Sequence, residues 1–249
     1  PQKIALLTDS CADLSVQMVQ EYHIFVVPLR ILCADGEYAD GVDIHGADIY
    51  RRLHNGELPQ TSLPSGAYIE KVLRQIWEEG YDGVIAVMLS SGLSGTYNLV
   101  RLAAEECGNL LPVRVFDSVS GSLGQGATVL QLAEDIRGGM SWEELTERRA
   151  PQLIANTFPF FSVDTLEYLQ KGGRIGKVTA TAGTLLQIKP IITFADDGQL
   201  KSIAKVRGRN QVISKLIELT VQRCGEHRRY NLAVANGGAP EEMQLVRQR

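Results

Sequence analysis

The sequence predicts an α/β protein of two domains: an N-terminal doubly wound parallel sheet, and a C-terminal α/β domain with a mixed or antiparallel sheet. In the first part of the chain, short apolar runs alternate with helical patterns, which is typical of βαβ units. In the second part, Asp196-Asp197-Gly198 joins two apolar runs and predicts a hairpin. The pattern changes near Asn156, so we expect domains at 1–156 and 157–249.

The elements of the first domain follow from these runs. The strand Ile4–Leu7 is followed by a helix near Ser15–Tyr22 and by a second strand, Ile24–Ile31. Further strands are expected at 83–89 and 113–116, because continuous apolar runs are typical of strands buried on both faces. Helices are expected at 67–79, 93–107, 124–137 and 142–156, the last of them capped by Ser141.

The second domain combines the hairpin with helices. Its two hairpin strands are expected at Ile188–Ala195 and Gln199–Val206, and a further strand is expected at Phe158–Val163. Helical patterns cover 165–170, 176–185 and 210–224.

Composition narrows the classes of function. A net charge of -4 over 249 residues gives no broad basic field, which disfavours nucleic-acid binding through phosphate neutralisation. The cysteines lie far apart without a C-x-x-C pair, so they predict neither a zinc site nor a redox motif: they are Cys11, Cys33, Cys107 and Cys224. The first apolar run is too short for a signal peptide, and no run approaches transmembrane length. We expect a soluble, cytoplasmic protein without a metal, a cofactor or stable membrane insertion.

Hydroxyl-bearing turns follow three of the predicted parallel strands, at Thr8-Asp9-Ser10, Ser90–Thr96 and Asp117-Ser118. The carboxyl ends of such strands share one rim, where helix N-termini offer unpaired N–H groups to anions. A further cluster, Thr61–Ser65, precedes the helix 67–79, with Pro64 as a helix-entry residue. Helix capping accounts for one hydroxyl per turn. The 90–96 loop has more hydroxyls than a cap requires, and both capping and ligand binding remain open for it.

Seven short motifs occur along the chain in a fixed order. They are Thr8-Asp9-Ser10 with Asp13-Leu14, Val27-Pro28-Leu29, Thr61-Ser62-Leu63-Pro64-Ser65, Ser91-Gly92-Leu93-Ser94-Gly95-Thr96-Tyr97, Leu166-Glu167-Tyr168-Leu169, Gly172-Gly173-Arg174-Ile175 and Ile188-Lys189-Pro190-Ile191. Together they span nearly the whole chain, and their order resembles the signature of the DegV family. The resemblance implies the EDD fold, with a lipid held between two domains.

The resemblance also implies the ligand, a long-chain fatty acid of about C16 to C18. The Thr of a T-S-x-P-S motif and the Ser of an L-S-G-T motif would bind its carboxylate, and these positions are Thr61 and Ser94. We name the Gly95 amide, Ser62 and Asn236 as further candidates. Many relatives have a histidine where this chain has Asn236, and Asn can donate a hydrogen bond but cannot become cationic. No catalytic residue is implied, so we expect a carrier and not an enzyme.

A partner follows from the same resemblance, because DegV-type subunits present the acyl carboxylate to a fatty-acid kinase. Arg174 and Arg207 are candidates for phosphate or kinase contact, the alternative being a solvated basic hairpin end. Relatives usually continue beyond Arg249, so the chain is either truncated, with an incomplete second domain, or a short member of the family.

Two other classes of function remain as alternatives. Ser94 follows a strand and opens a helix as the nucleophile of a serine hydrolase does, but Thr96 replaces the expected glycine and His227 is the only histidine that follows Ser94. Gly121–Gly126 suggests a dinucleotide-binding enzyme, but its glycine spacing is the reverse of G-x-G-x-x-G.

Overall fold

A computed structural model describes residues 2–178, 188–225 and 229–249. The chain divides into two compact units, Pro1–Thr157 and Phe158–Arg249. The strands are β1 (Ile4–Asp9), β2 (Phe25–Val27), β3 (Arg30–Cys33), β4 (Gly36–Ala39), β5 (Gln60–Ser62), β6 (Gly83–Met88), β7 (Val113–Asp117), β8 (Ile188–Phe194) and β9 (Leu200–Arg207). The α-helices are α1 (Val16–Glu21), α2 (Gly46–His54), α3 (Gly66–Glu78), α4 (Thr96–Glu106), α5 (Ser122–Arg137), α6 (Ala150–Ala155), α7 (Glu167–Lys171), α8 (Arg209–Cys224) and α9 (Pro240–Gln248). Across the part of the chain with coordinates, we find no helix with the length and apolar character needed to span a membrane.

The first unit is built on a four-stranded parallel sheet with the order β2–β1–β6–β7. All residues of the central strands β1 and β6 are buried, which explains their continuous apolar runs in the sequence. Side chains of α3 and α4 pack on one face of the sheet, and side chains of α5 and α6 pack on the other. This parallel sheet, with an antiparallel pair in the second unit, confirms the predicted fold class.

The predicted single strand Ile24–Ile31 is wrong, because two strands in different sheets share this segment. β2 ends at Val27 in the parallel sheet, and β3 begins at Arg30 in a separate antiparallel sheet with the order β4–β3–β5. Pro28 stands at the break, since it has no N–H to donate to a neighbouring strand. The strands β4 and β5 were not predicted, because both are short and mostly polar.

The predicted helices of the first unit are present with altered ends. α4 begins at Thr96 and not near Leu93, because residues 90–95 form turns. The helix predicted at 142–156 contains a π-helical segment, Glu144–Arg149, before α6. Ser141 caps this helix as predicted, since its Oγ accepts a hydrogen bond from the Glu144 N–H at 3.2 Å.

In the second unit, β8 and β9 form the predicted hairpin, and Gly198 in its turn has a φ of +77°, a conformation that favours glycine. The predicted strand Phe158–Val163 is wrong, because only Phe161 pairs, in a single antiparallel bridge with Ile192. Pro159 explains the interruption: it lacks an N–H, and its carbonyl accepts a hydrogen bond from the Thr193 side chain at 2.7 Å.

The helix predicted at 176–185 is not helical at 176–178, where Lys177 forms a bridge with Lys201 of β9. The rest of this predicted helix lies outside the described residues. α9 follows the hairpin and α8 in the chain and was not predicted, although Pro240 at its first turn is a typical helix start.

The helix α5 approaches the turn after β1 at Gly126, where a Cβ atom would lie 2.5 Å from the Ala12 carbonyl oxygen. We expect Gly126→Ala to lower the free energy of unfolding by about 1–3 kcal/mol, because a backbone atom must move. Gly66→Ala is the matched control, since a Cβ at this helical glycine would meet no described atom within 4 Å. Urea denaturation of both variants measures the difference, and equal effects would contradict the close approach.

Candidate functional site

The strand order of the parallel sheet reverses between β1 and β6, because β2 lies beside β1 on one side and β7 beside β6 on the other. In open α/β sheets, ligands bind beyond the carboxyl ends of the strands at such a switch point. The turns Thr8-Asp9-Ser10 and Ser90–Thr96 lie at the ends of these two paired strands. The fold therefore places two of the predicted hydroxyl-bearing turns at adjacent strand ends.

Asp9 is the last residue of β1, and its side chain is fully buried. Its Oδ2 accepts a hydrogen bond from the Leu89 N–H at 2.7 Å. Its Oδ1 accepts from the Cys11 N–H at 2.9 Å and from the Gln125 amide at 3.1 Å. Burial raises the pKa of Asp9, and these hydrogen bonds oppose that rise only in part. Asp9 therefore joins parts of the protein to each other and is not free to bind a ligand.

Three further side chains of the predicted rim are also used within the protein. The Oγ1 of Thr8 donates a hydrogen bond to the Val87 carbonyl at 2.7 Å. The Oγ of Ser10 accepts one from the Leu29 N–H at 3.0 Å, and the Oδ1 of Asp117 accepts one from the Val119 N–H at 2.8 Å. Turn formation and the joining of strands account for all three.

The turn after β6 differs, because Ser94 shares a hydrogen bond with the Thr96 hydroxyl in which either oxygen can be the donor. Its Oγ accepts a hydrogen bond from the Thr96 N–H at 3.2 Å and lies 2.8 Å from Thr96 Oγ1. A hydroxyl has one donor and two acceptor positions. When Thr96 donates both bonds, the Ser94 O–H remains available to a third group. The side chain of Thr96 is fully buried, and its contacts with Ser94 orient the Ser94 hydroxyl, a role that the sequence pattern did not distinguish from the other hydroxyls of the 90–96 loop.

The start of α4 offers further donors beside Ser94. Gly95 is the N-cap residue and is exposed. Within the described parts of the chain, no acceptor is found for the backbone N–H of Gly95, Tyr97 or Asn98. Unpaired N–H groups at a helix N-terminus carry partial positive charge and bind anions. The predicted Ser94–Gly95 turn therefore has the chemistry of an anion site.

Thr61 and Ser62 lie in the exposed strand β5, where Thr61 pairs with Ile31 of β3. The side chain of Thr61 has no hydrogen-bond partner among the residues that the structure describes. Side chains of consecutive strand residues point to opposite faces, so Thr61 and Ser62 cannot both face one head group from this strand.

Leu63 connects the two motifs. A Cβ atom placed on Gly95 would lie 3.5 Å from Cδ2 and 3.6 Å from Cδ1 of Leu63, which is ordinary van der Waals contact. Leu63 is two residues from Thr61, and Gly95 is adjacent to Ser94, so the contact brings both predicted carboxylate ligands to the same part of the first unit. No sequence pattern signalled this role for Leu63, because a single apolar residue in a loop has no periodicity.

The remaining candidates lie in the second unit. Asn236 is exposed, and its Oδ1 accepts hydrogen bonds from the N–H groups of Gly238 at 3.2 Å and Ala239 at 3.0 Å, which shapes the turn before α9. Arg174 follows α7 and Arg207 ends β9, and both are exposed. Contacts of these three residues with a carboxylate, a phosphate or a kinase stay predictions.

Among the residues with coordinates, the fold brings together one group of side chains of metal-ligand types that the sequence spacing did not indicate, Cys33, Asp35 and Glu57. Arg52 already supplies a positive charge there, with its Nη2 2.9 Å from Asp35 and its Nη1 3.0 Å from Glu57. Arg52 accordingly lowers the pKa of Asp35. The two carboxylates of this group therefore form ion pairs with the Arg52 guanidinium.

The geometry gives the enzyme alternatives no support. Among the described residues no histidine forms a hydrogen bond with Ser94, and His227, the predicted base, lies outside them. Gly126 of the glycine-rich motif is buried inside α5, where it packs against the Ala12 backbone.

Among the cavities that the described residues form, one of 230 Å³ lies between α4 and β7 and one of 170 Å³ lies beside the turn after β1. Ligand pockets usually have about 300–1,000 Å³. Neither cavity is lined by Thr61 or Ser94, so neither explains the predicted carboxylate site.

Comparisons with known proteins identify the same family as the motifs. Residues 3–249 match the model of a family described as uncharacterised proteins of the DegV family. A DegV domain-containing protein of Clostridium perfringens is 42% identical over 98% of this chain and 86% of its own length. The fatty-acid-binding DegV family protein of Streptococcus agalactiae superposes with a TM-score of 0.89 at 27% identity, covering 100% of this chain and 87% of the other. A stearic-acid-binding protein of Eubacterium ventriosum superposes with a TM-score of 0.76 at 28% identity, covering 90% of this chain and 76% of the other.

The buried Asp9 generates a prediction about pH. Its pKa in the folded protein is raised above the ordinary value of 3.8, so the folded state binds this proton more tightly than the unfolded chain does. The resulting stabilisation is fully present below pH 3.8 and is lost as the pH rises through the folded-state pKa. Asn does not titrate, and its NH₂ group would face N–H donors, so Asp9→Asn should lower the free energy of unfolding by about 1–3 kcal/mol.

Urea denaturation of the wild type and Asp9→Asn at several pH values measures this effect. The stability difference between the two proteins should be largest at the acid end and should decrease as the pH rises. A difference that grows with pH would contradict the raised pKa.

Proposed function

The chain belongs to the DegV family, and on that premise we propose that it binds a long-chain fatty acid and holds the carboxylate at Ser94, Gly95 and Thr61. The observation that carries the proposal is the set of unpaired N–H donors at the start of α4, next to the Ser94 hydroxyl, which can donate to a ligand when Thr96 donates the hydrogen bond between the two side chains. Two solved relatives are described as binding fatty acids, one of them stearic acid, which supports this class of ligand.

The head-group chemistry follows from the donors. A carboxylate only accepts hydrogen bonds, and the Ser94 O–H, the Gly95 N–H and the Thr61 O–H can each donate one. Hydrogen bonds to a charged group contribute about 1.5–3 kcal/mol each. Because these donors are uncharged, the proposed site stabilises the anion through oriented dipoles and the N-terminus of α4.

Ser62 and Asn236 are additional candidate donors to the carboxylate. Strand alternation separates Ser62 from Thr61, so Ser62 is an alternative to Thr61 and not a second ligand on the same face. Asn236 would donate through the second hydrogen of its amide nitrogen, because its Oδ1 already accepts two backbone hydrogen bonds and its Nδ2 already donates to Met243 Sδ at 3.3 Å. Most of the affinity would come from the acyl tail, at about 0.8 kcal/mol per buried methylene, while the donors set the orientation of the head group.

In this proposal the protein is a cytoplasmic carrier and not an enzyme, and the bound carboxylate is presented to a fatty-acid kinase. The kinase would transfer the γ-phosphoryl group of ATP to a carboxylate oxygen, which yields an acyl phosphate and ADP. Membership of the DegV family and the two exposed arginines, Arg174 and Arg207, support this step.

Loss of a single proposed donor tests the carboxylate site. Ser94→Ala and Thr61→Ala should each raise the Kd for hexadecanoic acid about 10- to 100-fold, because each removes a hydrogen bond to a charged group. Titration calorimetry on delipidated protein measures the Kd, and thermal unfolding shows whether each variant is folded. Ser214→Ala, an exposed hydroxyl on α8, is the control and should keep the wild-type affinity.

Mass spectrometry of lipid extracted from the purified protein tests the function itself. No fatty acid in the extract, together with no uptake when one is offered, would overturn the proposal. Wild-type affinity in both alanine variants would place the head group elsewhere in the protein.

Removal of the exposed arginine charges tests the kinase step. Arg174→Gln and Arg207→Gln should lower the rate at which a fatty-acid kinase phosphorylates the bound fatty acid by roughly 5- to 10-fold, because a charge facing the partner speeds association. The Kd for the fatty acid should stay unchanged. Arg247→Gln, an exposed arginine of the same unit, is the control, and an equal loss in this variant would contradict a specific role.

A further inference from the structure

We infer that Leu63 is a specificity-determining residue that covers the head-group donors and increases their preference for a carboxylate over a neutral head group. The inference rests on the proposed fatty-acid function and assigns a role to the one residue of the Thr61–Ser65 motif that the T-S-x-P-S pattern leaves unspecified. It is based on the contact between Leu63 and Gly95.

Both methyl groups of Leu63 lie against the α-carbon face of Gly95. They would be 3.5 and 3.6 Å from a Cβ atom at that position, and no other described atom outside the neighbours of Gly95 in the chain comes within 4 Å of it. Leu63 is therefore the described residue that shields this side of the Gly95 peptide. Gly95 is the N-cap of α4, so Leu63 lies beside the residue from which the helix starts.

The loop that carries Leu63 is held at both ends. On one side Thr61 and Ser62 pair with β3. On the other side Pro64 is buried and precedes the first turn of α3, where the Ser65 carbonyl accepts from the Ile69 N–H at 3.1 Å. The position of Leu63 above Gly95 is thus set by its neighbours, although its own side chain is 43% exposed.

An apolar cover changes the strength of the hydrogen bonds beneath it. Excluding water lowers the local dielectric constant, and a hydrogen bond or dipole acting on a full charge gains more from this than one acting on a neutral group. Leu63 should therefore contribute more to the binding of an ionised acid than to the binding of an alcohol with the same chain. A residue that only packed against the tail would contribute equally to both.

The experiment compares hexadecanoic acid with hexadecan-1-ol as ligands of the delipidated full chain. Leu63→Ala should raise the Kd for the acid about 10-fold and the Kd for the alcohol about 2-fold or less, so the acid-to-alcohol preference should fall about fivefold. Leu63→Met, which keeps the apolar volume, should restore most of the preference. Leu102→Ala is the matched control, because Leu102 is a leucine of α4 with a similar exposure of 49%.

The outcomes separate this inference from the proposed function. Equal weakening for acid and alcohol, or no change for either, overturns the role of Leu63 while fatty-acid binding stands. A preference that falls equally in Leu102→Ala also overturns it. If the wild type binds neither ligand, the proposed function fails, and the inference fails with it.

Discussion

The hydrogen bond from the Leu89 N–H to the buried carboxylate of Asp9 is the constraint on which the rest of the first unit depends. It links the carboxyl end of β1 to the residue directly after β6, at the point where the strand order reverses. Burying a carboxylate is unfavourable, and hydrogen bonds from two backbone N–H groups and the Gln125 amide offset that cost. The bond sets the direction in which the chain leaves β6, and so it positions the turn that starts α4.

The same turn after β1 also places the antiparallel sheet. The Ser10 hydroxyl accepts from the Leu29 N–H, immediately before β3 begins, and β3 pairs with β5, which contains Thr61. Two hydrogen bonds that consecutive residues, Asp9 and Ser10, accept from distant parts of the chain therefore lead to the two separate motifs that meet where Leu63 contacts Gly95. The two motifs lie far apart in the sequence, and they come close together because each is connected through one of these hydrogen bonds to the carboxyl end of β1.

The polar groups at the carboxyl ends of the parallel strands are of two kinds: some form hydrogen bonds within the chain, and others have no partner there among the described residues. The hydroxyl of Thr8 and the carboxylates of Asp9 and Asp117 all have partners within the chain. The start of α4 differs because its N-cap is a glycine, which has no side chain to cap the helix. A carboxylate suits such a place, since it supplies acceptors and no donors.

Local patterns in the sequence determined much of this protein by themselves. The buried runs of β1 and β6, the Asp196-Asp197-Gly198 hairpin and the Ser141 cap all depend on residues close in the chain, and the ordered motifs identified the family. Only the tertiary structure decided that Pro28 divides two sheets, that the polar segment Gln60–Ser62 is a strand, and which hydroxyls of the rim bond to distant parts of the chain. The physical reason is that these outcomes depend on hydrogen bonds between residues far apart in the chain, and no local periodicity records such partners.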